Sequence, residues 1–300
     1  MHRFRTALAT AVLVAIAFPL SSAERHDRAY WKAIVDNQYA LPKGANAVAL
    51  VNELTDSLGS TDPELRDTFG YEIVAAWIYR DGRLTAPELE ALRRKLQANL
   101  KIGLGNTGDD SVFLRSFSAL ELSILAAYET KTPYLSPEAF RELLDATLDY
   151  LAKEKDVRGF DAEKGWIHAT AHTADLLRFL GRSPKLTVAD QTRVIDAIAA
   201  KLDTAGVAFT HGEHERIARA LLSLVLRPDF KQKPLVAWIQ KTQASQKTLW
   251  SVPKLDPARY NAVQNARLTL RDLYLLVSLE PPGRVSTEVT DLLRETVAGL

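Results

Sequence analysis

The chain has 300 residues, of which 47% are hydrophobic and 25% charged, an ordinary balance for a globular protein. It contains no cysteine, which excludes disulfides, thiolate metal sites and cysteine nucleophiles. Its 38 basic and 37 acidic residues give a formal charge of +1, so there is no bulk attraction toward nucleic acid or anionic lipid.

The first 25 residues read MHRFRTALATAVLVAIAFPLSSAER. His2, Arg3 and Arg5 make a basic head, Thr6 to Leu20 is mostly apolar and uncharged, and Ser21-Ser22-Ala23 supplies small residues. That order predicts a secretory signal peptide over 1–23, cut after Ala23. An uncleaved anchor is the alternative, but the apolar run is short for a bilayer span. No cysteine follows it, so a lipid-anchored lipoprotein is excluded. The expected location is periplasmic or secreted, without stable membrane insertion after cleavage. Loss of Arg3 and Arg5 shifts the formal charge to −1. Residues 24–300 contain no Gly/Ser- or Pro-rich linker and read as a single domain.

Helix starts then recur in one form. STDPELRD offers Asp62 as N-cap, Pro63 at the first helical position and Glu64 in the first turn. LTAPELEAL repeats it with Thr85, Pro87 and Glu88, LSPEAFREL with Ser136, Pro137 and Glu138, and LTVADQTRV with Thr187. Between them apolar residues keep a spacing of three and four, and no window alternates as a strand would. The pattern predicts an all-α fold of paired helices near 27–58, 62–101, 110–154, 165–203, 212–246 and 260–299. First helices recurring roughly every 50 residues suit stacked antiparallel hairpins, a HEAT-like α-solenoid or an α/α toroid. A non-repetitive helical bundle is the plainer alternative.

Polar residues interrupt several of these helices. In GDDSVFLRSFSALELSIL, Asp109 and Asp110 cap the helix, and Ser111, Arg115 and Ser118 share a face among apolar neighbours. Such an arginine wants a carboxylate or phosphate, and a salt bridge to Asp156 or Asp175 would satisfy it. The preceding LGNTGDDS lacks the Lys-Ser/Thr ending of a P-loop. GWIHATAHTADLLRFL, read as a helix over 165–180, places His168, His172 and Asp175 within about 60° of one another, with mostly apolar flanks. These three must find partners.

Three readings compete. In the first, Asp175 and the loop KDVRGFDAEKG, with Asp156 and Arg158, satisfy the imidazoles internally. In the second, they face a ligand in a pocket that also draws on Ser111, Arg115, Ser118, Arg158, Trp166 and Glu213. In the third, His168 and His172 hold zinc, completed from His211, Glu213, His214 and Glu215 of THGEHERIARAL. HATAH lacks the glutamate of HExxH, and GxSxG occurs nowhere. Glu213, Glu215, Arg216 and Arg219 read as solvated ion pairs. NAVQNARLTLRDLYLL adds Asn261, Gln264, Asn265, Arg267 and Arg271, so first helices are richer in embedded polar groups than second ones. No cofactor is specified. The expected role is a binding module for a small molecule, peptide or glycan. The alternative is a hydrolase-type enzyme with His168 or His172 as general base and Asp175 orienting it.

LGSTDPELRD, DDSVFLRSFSAL, EKDVRGFDAEKGWIHATAHTADLL and GEHERIARAL together resemble the bacterial family known as domain of unknown function 2785, from about Leu58 to Leu226. The resemblance implies a helical fold without an assigned activity, with Arg115, Arg158, Trp166, His168, His172 and Asp175 at motif positions. Many relatives look cytosolic, so the leader here sets the chain apart.

Overall fold

A computed structural model of the chain describes residues 25–299; the expected signal peptide lies outside the described residues. Chain order begins with α1 (Arg28–Asp36) and α2 (Ala47–Thr55), followed by a helix wound in π form over Glu64–Ile73 and Ala76–Arg80. Then come α3 (Ala86–Asn99), α4 (Ser111–Lys131), α5 (Pro137–Lys153), α6 (Ala169–Arg182) and α7 (Val188–Thr204). Next are α8 (Glu213–Val225), α9 (Lys233–Thr248), α10 (Pro257–Ser278) and α11 (Thr287–Ala298).

The starts form for the reasons their sequences give. Asp62 accepts from the Glu64 amide at 2.9 Å, and Ser136 accepts from the Ala139 amide at 3.1 Å. Thr85–Glu88 and Thr187–Asp190 both close reciprocal capping boxes. The helices then stack in two layers, and the second layer meets the first at α5–α6, α7–α10, α9–α10 and α10–α11. First helices α4, α6, α8 and α10 lie side by side in one layer; α5, α7, α9 and α11 form the other. The fold is all-α, with neighbouring helices packed in sequence, as the spacing predicts.

Two departures matter for the site. Phe160–Asp161 pairs antiparallel with Gly165–Trp166, a short β-hairpin that no alternation announced. The Asp161 carboxylate closes its turn by accepting from the Glu163 and Lys164 amides, both at 2.9 Å. The expected helix at Gly165 therefore starts later, at Ala169. His168 precedes it in a left-handed conformation, φ 47° and ψ 29°. The second departure is the π winding over 64–80, whose wider turns satisfy backbone groups five residues back, as in Asp81 N–H to Ala76 C=O at 3.0 Å. Propensity does not distinguish this winding from an α-helix.

At the centre sits α4. Among the described residues it is the one helix long and apolar enough to cross a membrane, and most of it is buried against its neighbours. Arg66, from the π-wound helix, is fully buried beside it. Its guanidinium lies over the Phe113 and Phe117 rings at 4.3 and 4.6 Å and donates to the Ser60 and Lys164 carbonyls. That clasp ties the β-hairpin to α4 and sets the floor on which the site is built.

Candidate functional site

The start of α6 opens into a cavity of about 420 Å³ between the π-wound helix, α4, the β-hairpin and the start of α8. Backbone bonding fixes its geometry first. The Gly159 carbonyl accepts from the Ile167 and His168 amides at 2.9 and 3.2 Å, which turns the chain sharply before α6. A Cβ at Gly159 would come within 2.5 Å of His211 Nδ1 and 2.7 Å of Glu213 Oε1, so only glycine fits this approach.

His168 and His172 are both buried, and their hydrogen bonds assign opposite tautomers. His168 Nε2 lies 2.8 Å from the His211 carbonyl, an acceptor, so Nε2 carries the proton. His172 Nδ1 lies 2.8 Å from Ser116 Oγ. Ser116 spends its one hydroxyl proton on the Ile167 carbonyl, so Nδ1 must donate and Nε2 holds the lone pair. Among the described residues, nothing bonds to that Nε2. Burial lowers the pKa of both rings, His172 well below the usual value, with His168 and Arg216 adding to the effect there. Both are neutral near pH 7.

The remaining lining is mixed. Asp175 pairs with Arg216, and burial raises its carboxyl pKa against the pull of that cation. Asp67 lies beside Arg66 Nε at 2.7 Å, and burial likewise raises its pKa. Tyr71 presents a hydroxyl that bonds to nothing among the described residues, and burial raises its pKa too. Trp166 stacks on His168 at 4.3 Å and meets Phe160 edge-on at 4.8 Å, yet stays 42% exposed at the mouth. Phe117 and Leu120 supply apolar surface.

Of the residues singled out from sequence, His168, His172 and Trp166 line this cavity, Asp175 reaches it through Arg216, and Glu213 sits just beneath. Glu213 is buried, accepts from the His211 amide at 2.8 Å and lies 3.9 Å from His168 Nε2. The others are engaged elsewhere. Arg115 is fully buried, and its partner is Glu154, at 2.6 and 3.2 Å, where Asp156 or Asp175 was expected. Ser111 bonds Asp109 and Arg115, Ser118 accepts from Asn99, and Arg158 is held by Asp156 and the Asp109 carbonyl. Asn265 fixes the loop before α8 through the Phe209 amide and the Val207 carbonyl. Among the described residues, no group of three or more His, Asp or Glu is placed to hold a metal ion.

Three site residues escaped the sequence reading. Ser116 sits one position beyond Arg115, on the adjacent strip of α4, and nothing local marks it. Asp67 ends the STDPELRD stretch, where only Asp62, Pro63 and Glu64 carried the helix-start signal. Tyr71, four residues on, was the available signal: Asp67 and Tyr71 nearly eclipse on a helix.

This set can bind, position and exchange protons. The Ser116–His172 contact resembles a nucleophile–base pair, but the serine is fully buried beneath the ring and donates to a carbonyl, so it orients the imidazole. His172 Nε2 is a basic atom that the cavity offers. Comparison with known proteins finds no match among curated proteins and none among solved structures. The family described as Protein of unknown function (DUF2785) matches residues 100–275, which begins later and runs further than the motifs suggested. That span includes α4, α6, α8 and the β-hairpin but not Asp67 or Tyr71. With well over half its length matched, the chain belongs to the DUF2785 family.

Proposed function

We propose that the chain is a binding protein whose α4–α6–α8 cavity holds a small polar ligand of saccharide type. What supports this is the pairing of an exposed indole at the mouth with two inner polar groups, His172 Nε2 and the Tyr71 hydroxyl, that nothing among the described residues satisfies. Trp166 offers a flat apolar face of the kind that carries sugar rings. His172 Nε2 offers an acceptor, the Tyr71 hydroxyl a donor or acceptor, and Arg216 a cation. A cavity near 420 Å³ suits one or two rings. On the expectation of export, the ligand belongs to the cell envelope or the medium.

A second reading has one observation in its favour. Environment drives the His172 and Asp67 pKa values apart, making the first a neutral base and the second a carboxyl that holds its proton to higher pH. Such a pair suits hydrolysis by a base-activated water.

Thermal shift and calorimetry on the full chain, with panels of mono- and oligosaccharides and of dipeptides, test both. A saccharide should raise Tm, and Trp166→Ala and His172→Asn should each abolish the shift. His172→Asn keeps a donor toward Ser116 while deleting the Nε2 acceptor. Saccharide binding that survives both substitutions, or a response to dipeptides alone, overturns the reading. Turnover of a bound saccharide that His172→Asn stops would favour the enzyme.

A further inference from the structure

We propose that a second cavity, along the C-terminal half of α6, is a binding site for a multiply charged oxyanion of phosphate-ester type. This cavity measures about 630 Å³ and does not share its lining with the histidine cavity. Five arginines line it: Arg178 and Arg182 from α6, Arg219 from α8, Arg227 just past α8, and Arg284 between α10 and α11. One carboxylate, Asp229, is present among them.

The arginines differ in how they are held. Arg227 is a structural clasp that donates to the Gly181, Ser183 and Leu186 carbonyls and pairs with Asp229. It thereby uses the carbonyls at the end of α6 that would otherwise attract neighbouring cations. Arg219 is paired with Glu215 at 2.6 Å. Arg178 and Arg182 form no ion pair among the described residues. Both pack on the Phe179 ring, at 5.5 and 5.2 Å, and Arg178 Nε is buried without a hydrogen-bond partner among the described residues. Burial, then the charges of Arg182 and Arg219, lower the Arg178 pKa, so the cavity brings together cations that repel one another. A buried donor without an acceptor is costly in a native protein and points to an absent partner.

The shape narrows that partner. Guanidinium forks bind carboxylate and phosphate bidentately, and several converging forks favour a group with three or more oxygens. Leu222, Leu226, Pro184 and Pro228 line the same cavity, and its volume exceeds that of an inorganic ion, so an organic phosphate with an apolar portion fits.

Calorimetry and thermal shift on the full chain, in phosphate-free buffer, test this with sodium pyrophosphate, glycerol phosphate and citrate against chloride at matched ionic strength. Pyrophosphate and glycerol phosphate should raise Tm where chloride does not. Arg178→Gln and Arg182→Gln should each weaken binding about tenfold or more, about 1.4 kcal/mol, while Arg294→Gln, remote from the cavity, leaves it unchanged. Without ligand, Arg178→Gln should match or exceed the parent Tm, because like-charge repulsion is relieved. The proposal is overturned if both cavity variants bind normally, if chloride acts equally, or if citrate binds as tightly as the phosphates. A lower ligand-free Tm in Arg178→Gln overturns it too, since the guanidinium would then be held by the protein. Arg182 is exposed, so its variant tests binding even if Arg178→Gln misfolds.

Discussion

Glu121 lies mid-way along α4, fully buried, with its pKa pushed from 4.5 to about 8 by desolvation. Its geometry agrees with a protonated side chain. Thr55 donates its hydroxyl proton to the Val51 carbonyl at 2.8 Å, so at 3.3 Å from Glu121 Oε2 its oxygen is the acceptor and the carboxyl is the donor. The opposite oxygen, Oε1, has no hydrogen-bond partner among the described residues. Folding therefore takes up a proton wherever the unfolded glutamate is ionised and the folded one is not, between pH 4.5 and about 8. In that window the unfolded state binds fewer protons, so stability falls as pH rises, by about 1.4 kcal/mol per unit from this group. Below the window the group contributes nothing; above it the full loss is about 5 kcal/mol, and at pH 7 about 3 kcal/mol. Glu121→Gln removes the titration and can still donate to Thr55. Urea unfolding of both proteins at about pH 5, 6, 7 and 8.5 should show a stability difference that grows in favour of glutamine at each step. A difference that stays constant across that range would refute the buried-acid account, whatever its size.

Further outcomes follow from other contacts. Arg115→Met leaves Glu154 buried without its cation and should cost about 3–5 kcal/mol in urea unfolding. Ser116→Ala removes the acceptor that holds His172 Nδ1–H and should cost about 1–2 kcal/mol; ring NMR should then show loss of the single tautomer. Secretion of the full chain from a bacterial host should yield an intact mass that begins at Glu24, and a retained leader would contradict cleavage after Ala23.

Much of the fold was legible because helix starts carry their own chemistry. Pro63, Pro87 and Pro137 each sit where a missing amide proton costs nothing, and the caps before them form as their side chains dictate. The helices themselves followed from apolar periodicity, which tertiary packing then respected. The β-hairpin and the π winding left no such trace, because two-residue strands are too short to alternate and winding depends on what packs around it. At the site, the convergence of His168, His172 and Asp175 was expected from helical spacing, yet His168 lies outside the helix. It reaches the same cavity through a left-handed turn and the Trp166 stack. For Arg115 the need for a carboxylate was readable, but which of several nearby acids would meet it depended on where α5 ends.

One helix serves both openings. Over its 14 residues, Ala169–Arg182, α6 advances about 21 Å, a rod with imidazoles at its head and guanidiniums at its foot. Since α6 and α8 wall both recesses, a guest that shifts or stiffens either rod changes the reception of a guest at the other end. Whatever sign that influence takes, it must act equally in both directions.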